Sequence, residues 1–312
     1  MVDASLDRWR GDAPLAALWP FDRGYYRQFG WATANEVREY TCPPDALAAA
    51  RGRSSDVLRR VRADEWERLQ SAHEAHAADR GLTLRRDEDW WRERVFETMD
   101  GDARYVYAVE RDGAVVGHVA YSFSVGEGGG HGHHTLSVDD LAVADDDALL
   151  AVLGFLADHD SQAETVRLAL DTDSALLDRL PDPSAADCAV SQGPMVRVVD
   201  VVDALATVPY PDGESADLTL SVADDTAAWN DGLFRLRVAD GVGRCERVDE
   251  AAAGDDAADA TVGVGTLSQL AVGYHGVAEA RRLGDLDVAD GAVADRLEAL
   301  FPPETVFLRD FF

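Results

Sequence analysis

Lysine is absent from the 312 residues: all 29 basic side chains are arginine, set against 59 aspartates and glutamates. The formal net charge is −30, and the acids run along the whole chain rather than forming one block. No arginine-rich stripe exists to neutralise phosphates, which excludes a duplex nucleic-acid partner. At ordinary ionic strength such a surface repels itself and weakens the compact state. At molar salt the Debye length falls to about 3 Å and that repulsion is screened. The composition therefore predicts a salt-adapted, halophilic protein.

Cysteine is scarce as well. Cys42, Cys188 and Cys245 are odd in number and far apart. They fit neither a disulfide framework nor a zinc site, and read as buried apolar fillers. No apolar run reaches 18 residues, so no transmembrane helix and no membrane partner are expected. The segment 1–11 is polar, carries Arg8 and Arg10, and lacks the apolar core of a secretory signal. The expected location is the cytoplasm. What the chain does have is core-forming material: hydrophobic residues make up 46%, and the length suits two or three domains.

Three blocks follow from patterning. In residues 1–42 a helix end at Leu6–Arg10 precedes a strand-length apolar run from Pro14 to Pro20. A short helix with Asp22 as N-cap and Gly30 as C-cap comes next, then a strand at Val37–Tyr40. One strand, one helix and one strand cannot close a core alone, so this block must complete something else. Residues 43–208 alternate strands and helices. Strands are expected at Leu58–Val61, Tyr105–Val109, Val115–Tyr121, Thr135–Val143, Thr165–Leu170 and Met195–Val202. Helices are expected at Asp64–Arg80, Asp87–Met99, Ala148–His159 and Ala175–Leu180. The Arg-Asp-Gly turn between Val109 and Val115 is the strongest hairpin signal. This block predicts an α/β fold with a mixed sheet. After the turn-rich Pro209–Ser215, residues 209–312 predict a small α+β domain. Its strands are placed at Leu218–Val222, Leu233–Val238 and Thr261–Val264. Its helices are placed at Leu267–Tyr274, Val277–Arg282 and Asp290–Leu300.

Three segments together resemble one family. Tyr26-Arg-Gln-Phe-Gly-Trp31 with Ala32-Thr33, then Pro194–Asp200 with Ala204-Leu205, then Asp240-Gly241, Ala258-Asp259, Leu267-Ser268 and the terminal Phe312 are similar to the enhanced-intracellular-survival (Eis-type) N-acetyltransferases. The resemblance implies a partial GNAT domain over 1–42, a degenerate GNAT domain over 43–208 and a sterol-carrier-like domain over 209–312. It implies direct acetyl transfer from acetyl-CoA to a primary amine of a small molecule or a lysine, and assembly as a homo-oligomer. It places Tyr26 as general acid to the departing thiolate and the Phe312 carboxylate as general base. A phenol with pKa near 10 suits the first role, and a desolvated carboxylate the second. Tyr25, its neighbour, is the packing tyrosine.

The glycine loop that holds the pyrophosphate of acetyl-CoA in GNAT folds is not found, so no cofactor-binding residue is assigned. Arg51-Gly-Arg-Ser-Ser55 is the nearest segment, without the spaced glycines. A start placed too late or a degenerate protein would each account for this. Two other functions follow from the same observations: a non-catalytic scaffold, or a lipid carrier built on the third domain. His131, His133 and His134 read as a solvated glycine-rich loop rather than a metal site, Trp90 and Trp91 as core, and Arg197 with Asp200 as a structural pair.

Overall fold

The computed structural model describes residues 2–125, 134–171, 174–249 and 258–310. They belong to two units. One joins Met1–Glu36 to Gln192–Phe312, and the other is Val37–Ser191.

The second of these holds a seven-stranded sheet. Its order is Asp187–Gln192, Glu36–Cys42, Thr165–Leu170, His134–Val143, Ala114–Val125, Tyr105–Arg111, Val57–Arg60. Thr165–Leu170 runs parallel to His134–Val143 and the hairpin strands are antiparallel, so the sheet is mixed. The hairpin turns at Asp112 and Gly113, both at positive φ (50° and 85°), as a type I′ turn requires. The helix Asp146–Ala157 presents an almost wholly apolar sequence and buries Leu149, Val152, Leu153 and Leu156. They join Leu136, Val166 and Leu168 of the sheet in one core.

The first unit contains two sheets. Residues Leu15–Leu18 and Ala32–Thr33 flank Met195–Val198, both pairings antiparallel. The first block of sequence thus completes its sheet with a strand from far along the chain. The other sheet orders Val242–Val248, Gly232–Ala239, Ala216–Ala223, Ala260–Gly263, Leu286–Val288. Helices Val264–Ala271, Val277–Leu283 and Gly291–Leu300 pack on it. Leu220, Phe234, Leu236, Val262, Leu267 and Leu297 fill the space between sheet and helices, each at most 3% exposed.

Four expectations are corrected. The strand expected to reach Val202 stops at Val198, because the Asp200 carboxylate accepts from the N–H of Val202 and Asp203 and starts the helix Val201–Thr207. The helix expected over Asp87–Met99 is one α turn, Glu88–Trp90, followed by a π turn, Trp91–Val95, in which Phe96 N–H donates to the Trp91 carbonyl. The helix of the third block begins at Val264, not Leu267, and ends at Ala271. The strands Asp187–Gln192, Val242–Val248 and Leu286–Val288 were not anticipated.

Candidate functional site

Tyr26 sits on the five-residue helix Arg23–Arg27. Asp22 caps it, its carboxylate accepting from the Tyr25 N–H at 2.9 Å. The chain then turns through Gly30 at φ +79°. That glycine is required twice over. Its φ lies in the left-handed region, and a Cβ there would lie 2.0 Å from Arg197 Nη1 and 2.6 Å from Val264 Cγ1. Turning immediately, the chain folds Trp31 back over the helix. The Tyr26 ring is half-buried between Phe21, Tyr25 and Trp31, with centroids 5.2, 5.3 and 6.1 Å away. Its hydroxyl makes no hydrogen bond among the described residues and is left available. Tyr25 is more exposed and packs on Phe29 at 5.3 Å.

The carboxy-terminal tail is anchored beside this element. The Trp19 indole N–H donates to the Asp310 carbonyl at 2.7 Å, and Phe307 and Leu308 are buried. Phe312, two residues on, lies outside the described residues.

A cleft of about 590 Å³ adjoins the Tyr26 helix within the same unit. Arg23, Arg27, Trp31 and Tyr274 line it, together with Gly263–Thr266. Arg23 is fixed by donating Nη2 to the carbonyls of Gln192 and Gly193. Burial, reinforced by Glu36 and Glu279, pushes the Tyr274 phenol up from its ordinary range. Below the cleft lies the buried pair Arg197–Asp224, with Nη2 at 2.7 and 3.0 Å from the two carboxylate oxygens and side chains 0% and 1% exposed. Arg197 and Asp200 therefore do not pair: Asp200 caps a helix and meets Arg10 at 3.1 Å.

The other singled-out residues belong to the second unit. Trp91 is fully buried, donates to Gln70 Oε1 at 2.7 Å and packs on His118 and Arg86. It is core, as expected. Trp90 is half-buried with Arg94 over its ring. His131 and His133 lie outside the described residues, and His134 opens a sheet strand.

Two segments stand where a cradle for the pyrophosphate of acetyl-CoA could form. Arg51 is engaged by carboxylates, with Nε 2.9 Å from Asp158 and Nη2 2.9 Å from Asp160. The helix after the third hairpin strand, Asp146–Ala157, is the natural place for an anion. Its N-terminus instead carries Asp145, Asp146 and Asp147. The Asp145 carboxylate accepts from the Ala148 N–H at 2.9 Å, and its hydrogen bonds from Arg111 hold its pKa down to about 2. A carboxylate already occupies the place of the phosphate, and the two further acids repel one. Neither segment fits the cofactor.

Comparison with known proteins adds two domain matches. Residues 82–198 match an acetyltransferase (GNAT) domain and residues 201–309 a sterol carrier protein domain. The chain carries a GNAT acetyltransferase domain. A relative from Streptomyces griseus, described as an uncharacterized N-acetyltransferase, is 27% identical over 315 residues, which span 96% of this chain and 73% of the relative. A GCN5-related N-acetyltransferase from Anabaena variabilis shares the fold with a TM-score of 0.82 at 22% identity, over 100% of this chain and 76% of that one. Eis1 from Mycobacterium abscessus does so at 0.74 and 23%, over 100% and 77%. Most of the GNAT match, residues 82–191, falls in the unit with the acid-capped helix, and its last strand, Met195–Val198, belongs to the unit of Tyr26. No long apolar helix able to cross a membrane occurs among the described residues.

Proposed function

We propose that the chain is an acetyl-CoA-dependent N-acetyltransferase of the Eis type, acting on the primary amine of a small molecule or a lysine side chain. The observation that carries this reading is the 27% identity to an N-acetyltransferase along 96% of the chain, joined to the GNAT domain match. Acetyl-CoA supplies the acetyl group as a thioester. Tyr26 is the proposed proton donor and the Phe312 carboxylate the proposed acceptor of the amine proton. A half-buried phenol with an unengaged hydroxyl supports the first role. The tail held at Asp310 by Trp19 supports the second, because a general base must lie within hydrogen-bond reach of its proton. The blocks 1–42, 43–208 and 209–312 are read as partial GNAT, degenerate GNAT and sterol-carrier-like domains. The same reading makes the protein cytoplasmic, salt-adapted and a homo-oligomer.

A non-catalytic scaffold is the second reading, favoured by Asp145–Asp147 at the helix N-terminus where a phosphate would bind. Lipid carriage is less favoured, because side chains fill the interior of the unit that contains the sterol carrier match. Thiol release from acetyl-CoA over a panel of primary amines separates these readings. Amine-dependent release supports the transferase, and none with any amine supports the scaffold.

A further inference from the structure

The three sheets described above leave edges open, and all but one are guarded. Val57–Arg60 ends one side of the seven-stranded sheet with two arginines: Arg59 pairs with Glu65 and Glu110, and Arg60 lies over the Tyr105 ring. In the five-stranded sheet, Val242–Val248 carries Arg244, Glu246 and Arg247, and Leu286–Val288 is three residues long. In the three-stranded sheet, Leu15–Leu18 is partly buried and Ala32–Thr33 is two residues long. Charge, shortness and cover are the usual means of blunting an exposed edge. Asp187–Gln192 has none of them. It is six residues long, exposed at every position, and holds one charged residue in a chain that is 28% charged.

The direction of its open backbone groups follows from its partner strand, Glu36–Cys42. Gly193 N–H donates to the Asn35 carbonyl at 2.8 Å, and the Tyr40 phenol lies beside the Cys188 thiol. Both contacts fit one antiparallel register, in which Gly193 faces Asn35 and Cys188 faces Tyr40. Bonded residues alternate along such a ladder. Gly193 bonds inward, so Ser191 and Ala189 do as well, while Gln192, Val190 and Cys188 turn N–H and C=O outward. The Gln192 carbonyl agrees with this, since it accepts from Arg23 Nη2. Cys188 and Val190 are left with both backbone groups open among the described residues.

We propose that this edge adds a strand from a second copy of the chain, related by a two-fold axis at Ala189. A two-fold interface uses the same patch on both copies. With the axis there, Cys188 of each copy meets Val190 of the other, and each of these pairs exchanges both of its N–H···O bonds. The register makes no demand on the Gln192 carbonyl, which Arg23 already holds. It also sets Asp187 opposite Ser191, so the two Asp187 side chains stand roughly 14 Å apart at about 3.4 Å per residue. Like charges directly opposite would be destabilising. A contact of low charge matters here, because each copy carries −30 and repels the other over the rest of its surface. The inference rests on the homo-oligomer reading and gives it a surface; acetyl transfer plays no part in it.

Sedimentation of the full chain in about 2 M KCl, where that repulsion is screened, measures the association. A dimer is expected, and it should weaken as KCl is lowered within the range that preserves the fold. Val190→Pro is the decisive variant. Proline is tolerated in an edge strand where the missing N–H faced solvent, so the variant is expected to keep the circular dichroism spectrum of the unaltered protein. The dimer loses a hydrogen bond on each side of the axis, and its Kd is expected to rise about tenfold or more. Ser191→Pro, which removes an N–H that faces the partner strand, is expected to lower the thermal midpoint below that of Val190→Pro. Val190→Asp, at a position 58% exposed, puts an acid on each side of the contact and is expected to weaken association even if the proline disturbs the strand. Association that survives both Val190 variants unchanged would overturn this surface and leave the homo-oligomer reading standing. A monomer in about 2 M KCl would overturn both together, leaving the edge to an extended segment of another protein.

Discussion

Each unit contains a strand, a short helix and a strand, with a further strand lodged between the two. In the first unit these are Leu15–Leu18, Arg23–Arg27 and Ala32–Thr33, around Met195–Val198. In the second they are Thr165–Leu170, Leu176–Arg179 and Asp187–Gln192, around Glu36–Cys42. The layout is shared and the contents differ. The first helix is capped by Asp22 and presents Tyr25 and Tyr26. The second starts from Ala175 at φ +47° with no side-chain cap, carries no tyrosine and buries Leu176 completely. The lodged strand of the first unit carries the buried Arg197, and that of the second carries Tyr40 and Cys42. One backbone arrangement thus carries a tyrosine pair and a buried arginine in one place and apolar packing in another, and fold alone does not locate function.

Salt is the broadest way to probe the comparison. The unit Val37–Ser191 has 31 acids against 16 arginines, and the other 28 against 13, so each carries half of the −30. Both units should lose structure below about 0.5 M KCl, because neither escapes self-repulsion. Circular dichroism against KCl concentration measures this. Retained structure in dilute buffer, or in one unit only, would break the symmetry claimed for them.

Buried ion pairs should then separate from exposed ones. Arg197→Ala leaves Asp224 buried and unpaired and should cost about 3–5 kcal/mol. Arg92→Ala, whose pair with Glu88 is solvent-exposed on both sides, should cost far less. Urea denaturation of both variants gives the contrast, and equal losses would remove it.

A pH effect confined to the second unit is the smallest of the three. Burial, and then Arg86, push His73 down from 6.5 to about 4. Between those values the unfolded chain binds a proton that the native state does not. Stability therefore falls as pH drops from about 6.5 toward 4 and is unaffected by this group above that window. His73→Gln should flatten the slope in acid denaturation, and an unchanged slope would exclude His73 as its source.

Much of the fold was legible. The 105–121 hairpin, the Thr165–Leu170 strand and the helices at Asp146–Ala157 and Gly291–Leu300 follow from alternation, turn chemistry and aspartate caps. Two misses had signals of the same kind. Asp200 is a helix cap, and Asp240-Gly241, both at positive φ, is the same turn as Asp112-Gly113 and leads into Val242–Val248. Edge strand Asp187–Gln192 is exposed at every position, so no apolar alternation marked it. At the site, Tyr26 is put forward by the resemblance carried on Tyr26-Arg-Gln-Phe-Gly30, and its role is a proposal. The packing of Arg197 and Val264 against Gly30 was not legible, because it depends on a fold that brings residues 30, 197 and 264 together.

The central claim is that the tyrosine-bearing helix of the first unit does the chemistry. Amine-dependent thiol release from acetyl-CoA by the unaltered protein and by Tyr26→Phe, with folding of both confirmed by circular dichroism, tests it most directly. The account predicts release that falls about 10²- to 10⁴-fold in kcat when the hydroxyl is lost. Amine-dependent release that proceeds at the same rate without the Tyr26 hydroxyl would contradict it.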